Sequence, residues 1–306
     1  MAYETAAEHG FMEAQYNLAG MYYNGEGAQK NLLLAAKWFG LAAAKGHARS
    51  QCSLGAMYYN GEGVEQNFKE AAHWFRLAAE QGHGKAQYSL GAMHYNGEGV
   101  PKNAALGADW FTLAASRGFI EAQYHLGQMH HDGEGIDRDL LKAGEWFRRA
   151  AEQGHAKAQC SLGTMYYHGE GLLQNFRTAV VWFRRAAEQG LALAQYNLGR
   201  MYHEGEGVTR NFKEALRWYT MAAEQGLADA QYALGVMHHQ GEGTLPDPVT
   251  AYKWFDLAAS QGLANGTVSR DIICREMSLL DIALATRLSM AFSTKVRRLP
   301  SQSAGL

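Results

Sequence analysis

Residues 54–64 read Leu-Gly-Ala-Met-Tyr-Tyr-Asn-Gly-Glu-Gly-Val, and residues 71–82 read Ala-Ala-His-Trp-Phe-Arg-Leu-Ala-Ala-Glu-Gln-Gly. The two segments recur together, and that recurrence decides the fold. Outward from Trp74, tryptophan stands at Trp38, Trp110, Trp146, Trp182, Trp218 and Trp254, always 36 residues apart and nowhere else in the chain. The triplet Gly-Glu-Gly keeps the same register, from Gly25–Gly27 to Gly241–Gly243. Seven copies of one unit therefore account for roughly residues 12–263.

Each copy reads as two helices. In the second copy the first helix is predicted from about Ala48 to Asn60, with Leu54, Met57 and Tyr58 on one apolar stripe. Gly61 ends it, because glycine enters the left-handed C′ conformation without a Cβ clash. The second helix is predicted to start after Asn67. That column reads Asn31, Asn67, Asn103, Asp139, Asn175, Asn211 and Asp247, all of which accept hydrogen bonds from a first helical turn. Pro248 follows Asp247 at a position where its missing N–H costs nothing. Ala71, Trp74, Phe75, Ala78 and Ala79 are expected to form the buried stripe, and Gly82 to close the helix. Glycine also sits inside the first helix at Gly55, Gly91, Gly127, Gly163, Gly199 and Gly235, at about 1 kcal/mol each relative to alanine. Close helix–helix approach at that column is the expected reason.

One such hairpin cannot bury its own Trp, Phe, Leu and Met, but stacked neighbours can. The predicted fold is thus all-α, an α-solenoid with a quasi-one-dimensional core. Its organisation is predicted as a partial repeat over 1–11, full repeats over 12–47, 48–83, 84–119, 120–155, 156–191, 192–227 and 228–263, and a C-terminal cap with a tail over 264–306. Two capping helices are expected at about 267–277 and 279–295, the second started by Ser278 with Asp281, and a flexible tail from Arg297. The apolar spacing there is carried by Ile272, Met277, Leu280, Ile282, Leu284 and Leu288. Residues 2–13 align with the closing half of a repeat. The N-terminus therefore reads as a truncation or internal start, which leaves an upstream signal open. As given, the chain has no signal peptide and is expected in the cytoplasm.

Composition removes several classes of function. With 28 basic and 30 acidic side chains the net charge is −2, which argues against a nucleic-acid binder driven by a basic field. No apolar run approaches the ~18 residues of a bilayer span, so no membrane insertion is expected. Three cysteines do not make a disulfide framework. Cys52 and Cys160 share a column with tyrosines and are expected as buried structural thiols.

Sites for chemistry are sparse. One Glu per Gly-Glu-Gly loop is too few for calcium, which takes 6–8 oxygens; each Glu is expected to cap backbone donors of its own turn. His94, His130, His131, His203, His238 and His239 fall in two columns that elsewhere hold tyrosine, so the position wants a flat ring with a polar tip. No metal, cofactor or catalytic residue is predicted. Arg148-Arg149 and Arg184-Arg185 are expected to form ion pairs with Glu145, Glu152 and Glu188 on a solvated face.

The segments Leu54–Val64, Ala71–Gly82 and Ala86-Gln87 resemble the Sel1-like repeat family, a relative of the tetratricopeptide repeats. The resemblance extends nearly to Asn265. It implies a right-handed superhelix with a concave face, and a non-enzymatic adaptor that binds a protein or peptide partner as a monomer, in many cases in bacteria. It also carries two alternatives: an envelope or secreted protein with penicillin-binding or β-lactam hydrolysing activity, and a module of a longer regulator. The first alternative lacks its chemistry, since Ser-x-x-Lys and Lys-Thr-Gly do not occur.

What varies between copies marks the candidate site. Three first-helix columns drift in a stripe read as lying opposite the core, with Asn17, Gly20 and Asn24 in the first copy. In solenoids the first helices commonly line the concave face. Copies four to six carry the longest polar residues there: His125, Gln128, Asp132, Thr164, His168, Arg200 and Glu204. These are the expected partner-binding residues, with Arg200 able to clamp a carboxylate.

Overall fold

The structure, a computed structural model, describes residues 2–297; the expected tail after Arg297 lies outside the described residues. The described residues form seventeen α-helices and no strand. They group into two compact units divided between Gln153 and Gly154. In the first unit a short helix α1 (Ala2–Glu8) precedes four helix pairs: α2 (Met12–Asn24) with α3 (Leu32–Ala44), α4 (Ala48–Asn60) with α5 (Phe68–Glu80), α6 (Gly84–Asn96) with α7 (Ala104–Ser116), and α8 (Ile120–Asp132) with α9 (Leu140–Glu152). The second unit holds α10 (Ala156–His168) with α11 (Phe176–Glu188), α12 (Ala192–Glu204) with α13 (Phe212–Glu224), and α14 (Ala228–Gln240) with α15 (Pro248–Ser260). It closes with α16 (Ala264–Cys274) and α17 (Leu279–Arg297).

The helix boundaries follow local chemistry. Every second helix of a pair starts on an Asn or Asp whose side-chain oxygen accepts a first-turn N–H at 3.0–3.2 Å. First helices stop on a left-handed glycine, as at Gly61 with φ 74°. Ser278 accepts from the Asp281 N–H at 3.2 Å and its hydroxyl donates to the Asp281 carboxylate at 2.7 Å, so the expected cap of α17 forms. The α16 helix begins three residues earlier than the sequence suggested, and Ile272, Leu280, Leu284 and Leu288 face outward while Ile273, Ala285 and Ser289 are buried. Asp256 holds both closing helices to α15: it accepts from Arg270 at 3.3 Å and from Ser289 at 2.6 Å.

The core corrects the expected stripe. Phe75, Phe111, Phe147 and Phe183 are buried with the flanking alanines, but Trp74, Trp110, Trp146 and Trp182 are only half-buried. Each Phe lies deepest because its ring sits on the glycine inside the paired first helix. A methyl group at Gly127 would come 2.5 Å from the Phe147 ring, and one at Gly163 would come 2.8 Å from Phe183. The helix-interior glycines are therefore seats for a ring; in copy three backbone also approaches, with the Gly107 carbonyl 3.1 Å from the same point on Gly91. Tryptophan covers the seam before it. Trp146 packs on the cluster formed by Ala108 and Phe111 of the preceding pair with Leu126 and Met129 of its own. Within each unit the core is thus a row of seams, each filled by the second helix of one copy and the first helix of the next.

Candidate partner-binding faces

Two polar networks fix how first helices present their side chains. The fourth residue of each first helix is a buried glutamine. Gln51, Gln87 and Gln123 in one unit and Gln195 and Gln231 in the other donate to a last-turn carbonyl of the preceding helix at 3.1–3.2 Å, as Gln51 does to Ala43. Each of these last-turn carbonyls also accepts the N–H of the glycine after the helix, as Ala43 does from Gly46 at 2.9 Å, so the glutamine fills its second acceptor site. The second network overturns the local-cap reading of Gly-Glu-Gly. Glu62 accepts from Tyr23 of the copy before it at 2.6 Å, Glu98 from Tyr59 at 2.8 Å, and Glu134 from Tyr95 in a very short contact. In the second unit His203 takes the tyrosine's place and meets Glu242 at 2.7 Å. The Glu62 hydrogen bond and then burial push the Tyr23 hydroxyl up to about 12, and burial and then the Glu98 hydrogen bond push Tyr59 up to about 12. The Tyr/His column is therefore a set of latches between copies.

With these anchors in place, the first helices of the first unit line two adjoining clefts, of about 390 and 520 Å³, which share Tyr16, Tyr23, Phe39 and Ser53. Small side chains keep them open: a methyl group built on Gly20 would meet nothing within 4 Å. Arg49, His83 and Lys85 stand at one end, Asn24 and Glu26 at the other. His83 is held below the usual imidazole range, first by burial and then by the positive charges of Arg49, Lys85 and His47.

The residues marked by sequence drift are placed as follows. In the first unit His125 is half-buried and stacks on Phe111 at 5.4 Å with a 14° interplanar angle. It fills the space that Ser53 leaves open in the same column. Gln128 is half-buried one turn on, and exposed Asp132 pairs with His131 at 2.7 Å. In the second unit Thr164 is half-buried and donates to the Cys160 carbonyl at 3.1 Å. His168 is exposed and meets the Tyr167 ring edge-on at 4.9 Å. The Arg200 guanidinium lies 4.5 Å from the Tyr167 ring, with its buried Nε unpartnered. Burial and the adjacent Glu206 carboxylate raise Glu204 above the ordinary carboxylate range. The stripe is thus not wholly opposite the core: two of its three columns are half-buried.

Other expectations resolve in the same way. Arg149 and Arg185 lie over the rings of Trp146 and Trp182 at 4.5 and 4.7 Å, and Arg184 donates to the Tyr202 hydroxyl at 2.8 Å. Arg149 and Arg185 thus cover half-exposed tryptophan. Cys52 and Cys160 are buried free thiols, pushed by burial up to about 11. Sequence reasoning missed the first-helix caps His83 and His155, whose Nδ1 atoms accept the N–H of Ala86 and Ala158 at 3.3 and 3.0 Å. Among the described residues no cluster of three His, Cys, Asp or Glu side chains could hold a metal ion, and no helix is long and apolar enough to cross a membrane.

The comparisons with known proteins agree with this architecture. The Sel1 repeat matches residues 13–47, 48–83, 84–119, 120–155, 156–191, 192–227 and 228–263. A Sel1 repeat protein from Oxalobacter formigenes is similar at 33% identity, over 90% of this chain and 79% of that one, with a TM-score of 0.72. A protective antigen of uropathogenic Escherichia coli that displays an SLR fold is 30% identical over 99% of this chain and 82% of its own, with a TM-score of 0.46. No curated protein matches. Seven consecutive repeat matches on stacked helix pairs place the chain in the Sel1 repeat family.

Proposed function

We propose that the chain is a non-catalytic scaffold that binds a protein or peptide partner along its first helices, the face that the family resemblance makes concave. The observation that supports this most directly is the open cleft of the first unit. It is walled by Tyr16, Tyr23 and Phe39, floored by small residues and not closed by its own side chains. Aromatic walls give contact area at low entropic cost, and an open groove suits an extended segment. His125, Gln128 and Asp132 on the first unit and Thr164, His168, Arg200 and Glu204 on the second are proposed as further contacts.

Capture of a partner by the intact chain tests this reading. Gln128→Ala with Arg200→Ala, which spares the His125–Phe111 stack, is expected to weaken that complex by about 2 kcal/mol while the helical circular dichroism stays unchanged. A captured partner that binds the double variant and a Ser53→Trp variant with unchanged affinity would move the interface off the first helices.

A further inference from the structure

We propose that the cleft of the first unit accepts an acidic peptide segment, its carboxylate side chains lying at the end framed by Arg49, His83 and Lys85. This rests on the scaffold reading and names the chemistry of the partner. Arg49 and Lys85 occupy the second position of α4 and α6, in the first helical turn. There the free N–H groups already carry partial positive charge, and acids are the favourable residues. Glu13, Glu121 and Asp229 fill the same column in copies one, four and seven. Lys157 and Leu193 stand there in copies five and six, and in the two copies that line the cleft the column places a cation on its wall. Arg49 and Lys85 are exposed, and among the described residues neither makes an ion pair.

The acids nearby meet other groups or, like Glu26, line the adjoining cleft. Glu13 lies 3.5 Å from His47, and Glu121 acts on Tyr88. The half-buried His83 sits among Arg49, Lys85 and His47 and is disfavoured as a cation by all three. Three positive or protonatable groups thus line one cleft together with the Tyr16, Tyr23 and Phe39 rings and small side chains. An anion there would gain from both side chains and from the first-turn N–H groups. Two cations from adjoining copies call for more than one negative charge, which selects an acidic stretch over a single chain terminus. Tyr16 and Phe39, 5.7 Å apart, offer ring surface for an apolar residue between the acids.

The test uses the full chain and a fluorescein-labelled peptide of eight alternating Glu and Leu residues, blocked at its C-terminus, followed by fluorescence anisotropy. A second peptide carries Gln for Glu. The Glu peptide is expected to bind at least tenfold more tightly, and to weaken steeply between low and moderate salt. Arg49→Glu with Lys85→Glu, both at exposed positions, should abolish that preference with an unchanged thermal melt. Ser53→Trp should remove binding of both peptides by filling the floor. Equal binding of the two peptides, or a charge-reversed variant that keeps the preference, overturns the proposal. So does a single-stranded oligonucleotide that binds more tightly than the Glu peptide. Failure of both peptides to bind at millimolar concentration also overturns it, yet leaves the scaffold reading to the partner-capture experiment.

Discussion

Gln81 donates from its side-chain amide to Oε1 of Gln51 at 2.7 Å, and Gln51 in turn donates to the carbonyl of Ala43 at 3.1 Å. The relay joins the end of α5, the buried start of α4 and the end of α3. It recurs from Gln153 to Gln123, and in the second unit from Gln225 to Gln195 and from Gln261 to Gln231. It fails where the donor column changes: Lys45 and Arg117 stand there in copies one and three, and the Oε1 atoms of Gln15 and Gln87 are buried without a partner.

That gap gives a stabilising substitution. Arg117→Gln supplies the missing donor to Gln87, and a buried acceptor left unsatisfied costs about 1–3 kcal/mol. The variant is expected to gain about 1 kcal/mol in a urea melt, while Gln123→Leu, which removes one of the two hydrogen bonds to the Ala115 carbonyl and takes the acceptor from the Gln153 amide, should lose about that much or more. An Arg117→Gln protein no more stable than the parent would show that Gln87 needs no protein donor.

The neighbouring aromatic columns separate in the same kind of measurement. Phe147 is 2% exposed and rests on Gly127, whereas Trp146 is half-buried under Arg149. Phe147→Ala is expected to cost about 3–5 kcal/mol, as a large-to-small core change does. Trp146→Ala should cost roughly half as much, because only part of its ring surface leaves water. If the tryptophan variant melts lower than the phenylalanine one, the seam and not the ring seat dominates stability.

The contrast shows what the residues alone disclose. Helix boundaries were legible because glycine and Asn/Asp act through local backbone geometry, so Asn67 and Gly61 announce their roles by position. The Trp column was legible as a period but not as a depth, since spacing does not say which of two adjacent rings faces the glycine. The glutamines at Gln51 and its equivalents were visible as a column, yet glutamine is also an ordinary solvent-facing helix residue. Only packing shows its amide reaching a buried carbonyl. The Tyr59–Glu98 latch spans 39 residues between copies, and a Glu flanked by glycines looks like local turn chemistry until the copies are stacked. The drifting stripe was readable as variation, but whether a position is open depends on volume: Ser53 leaves a cleft where His125 fills it.

The latch itself can be measured by a double-mutant cycle. Tyr59→Phe and Glu98→Gln should each destabilise the chain modestly, and together by less than their sum, with a coupling of about 1 kcal/mol. Ultraviolet titration of Tyr59→Phe should also lose one tyrosine of the group pushed up to about 12. Strict additivity of the two substitutions would mean that the hydrogen bond contributes nothing to the stacking of copies two and three.

Where the adjoining ring column holds histidine, stability becomes sensitive to acid. His94, His130 and His238 are each held below the ordinary imidazole range, chiefly by burial, and their Nδ1 atoms are buried without a partner. Folded, these rings stay neutral at a pH where the unfolded chain, titrating near 6.5, has already bound a proton. The unfolded state therefore binds more protons, and stability rises with pH across that interval. It should fall as pH drops through about 6.5 and level off once the depressed native values are passed. Tyrosine occupies this column at Tyr22, Tyr58, Tyr166 and Tyr202, so the space accepts a phenol. The triple variant His94→Tyr, His130→Tyr, His238→Tyr is expected to lose most of the decline in melting temperature between pH 7.5 and 5.5 (about one unit either side of 6.5). A triple variant that keeps the wild-type slope would assign the acid sensitivity to other groups, with the three imidazoles already protonated in the fold at no cost.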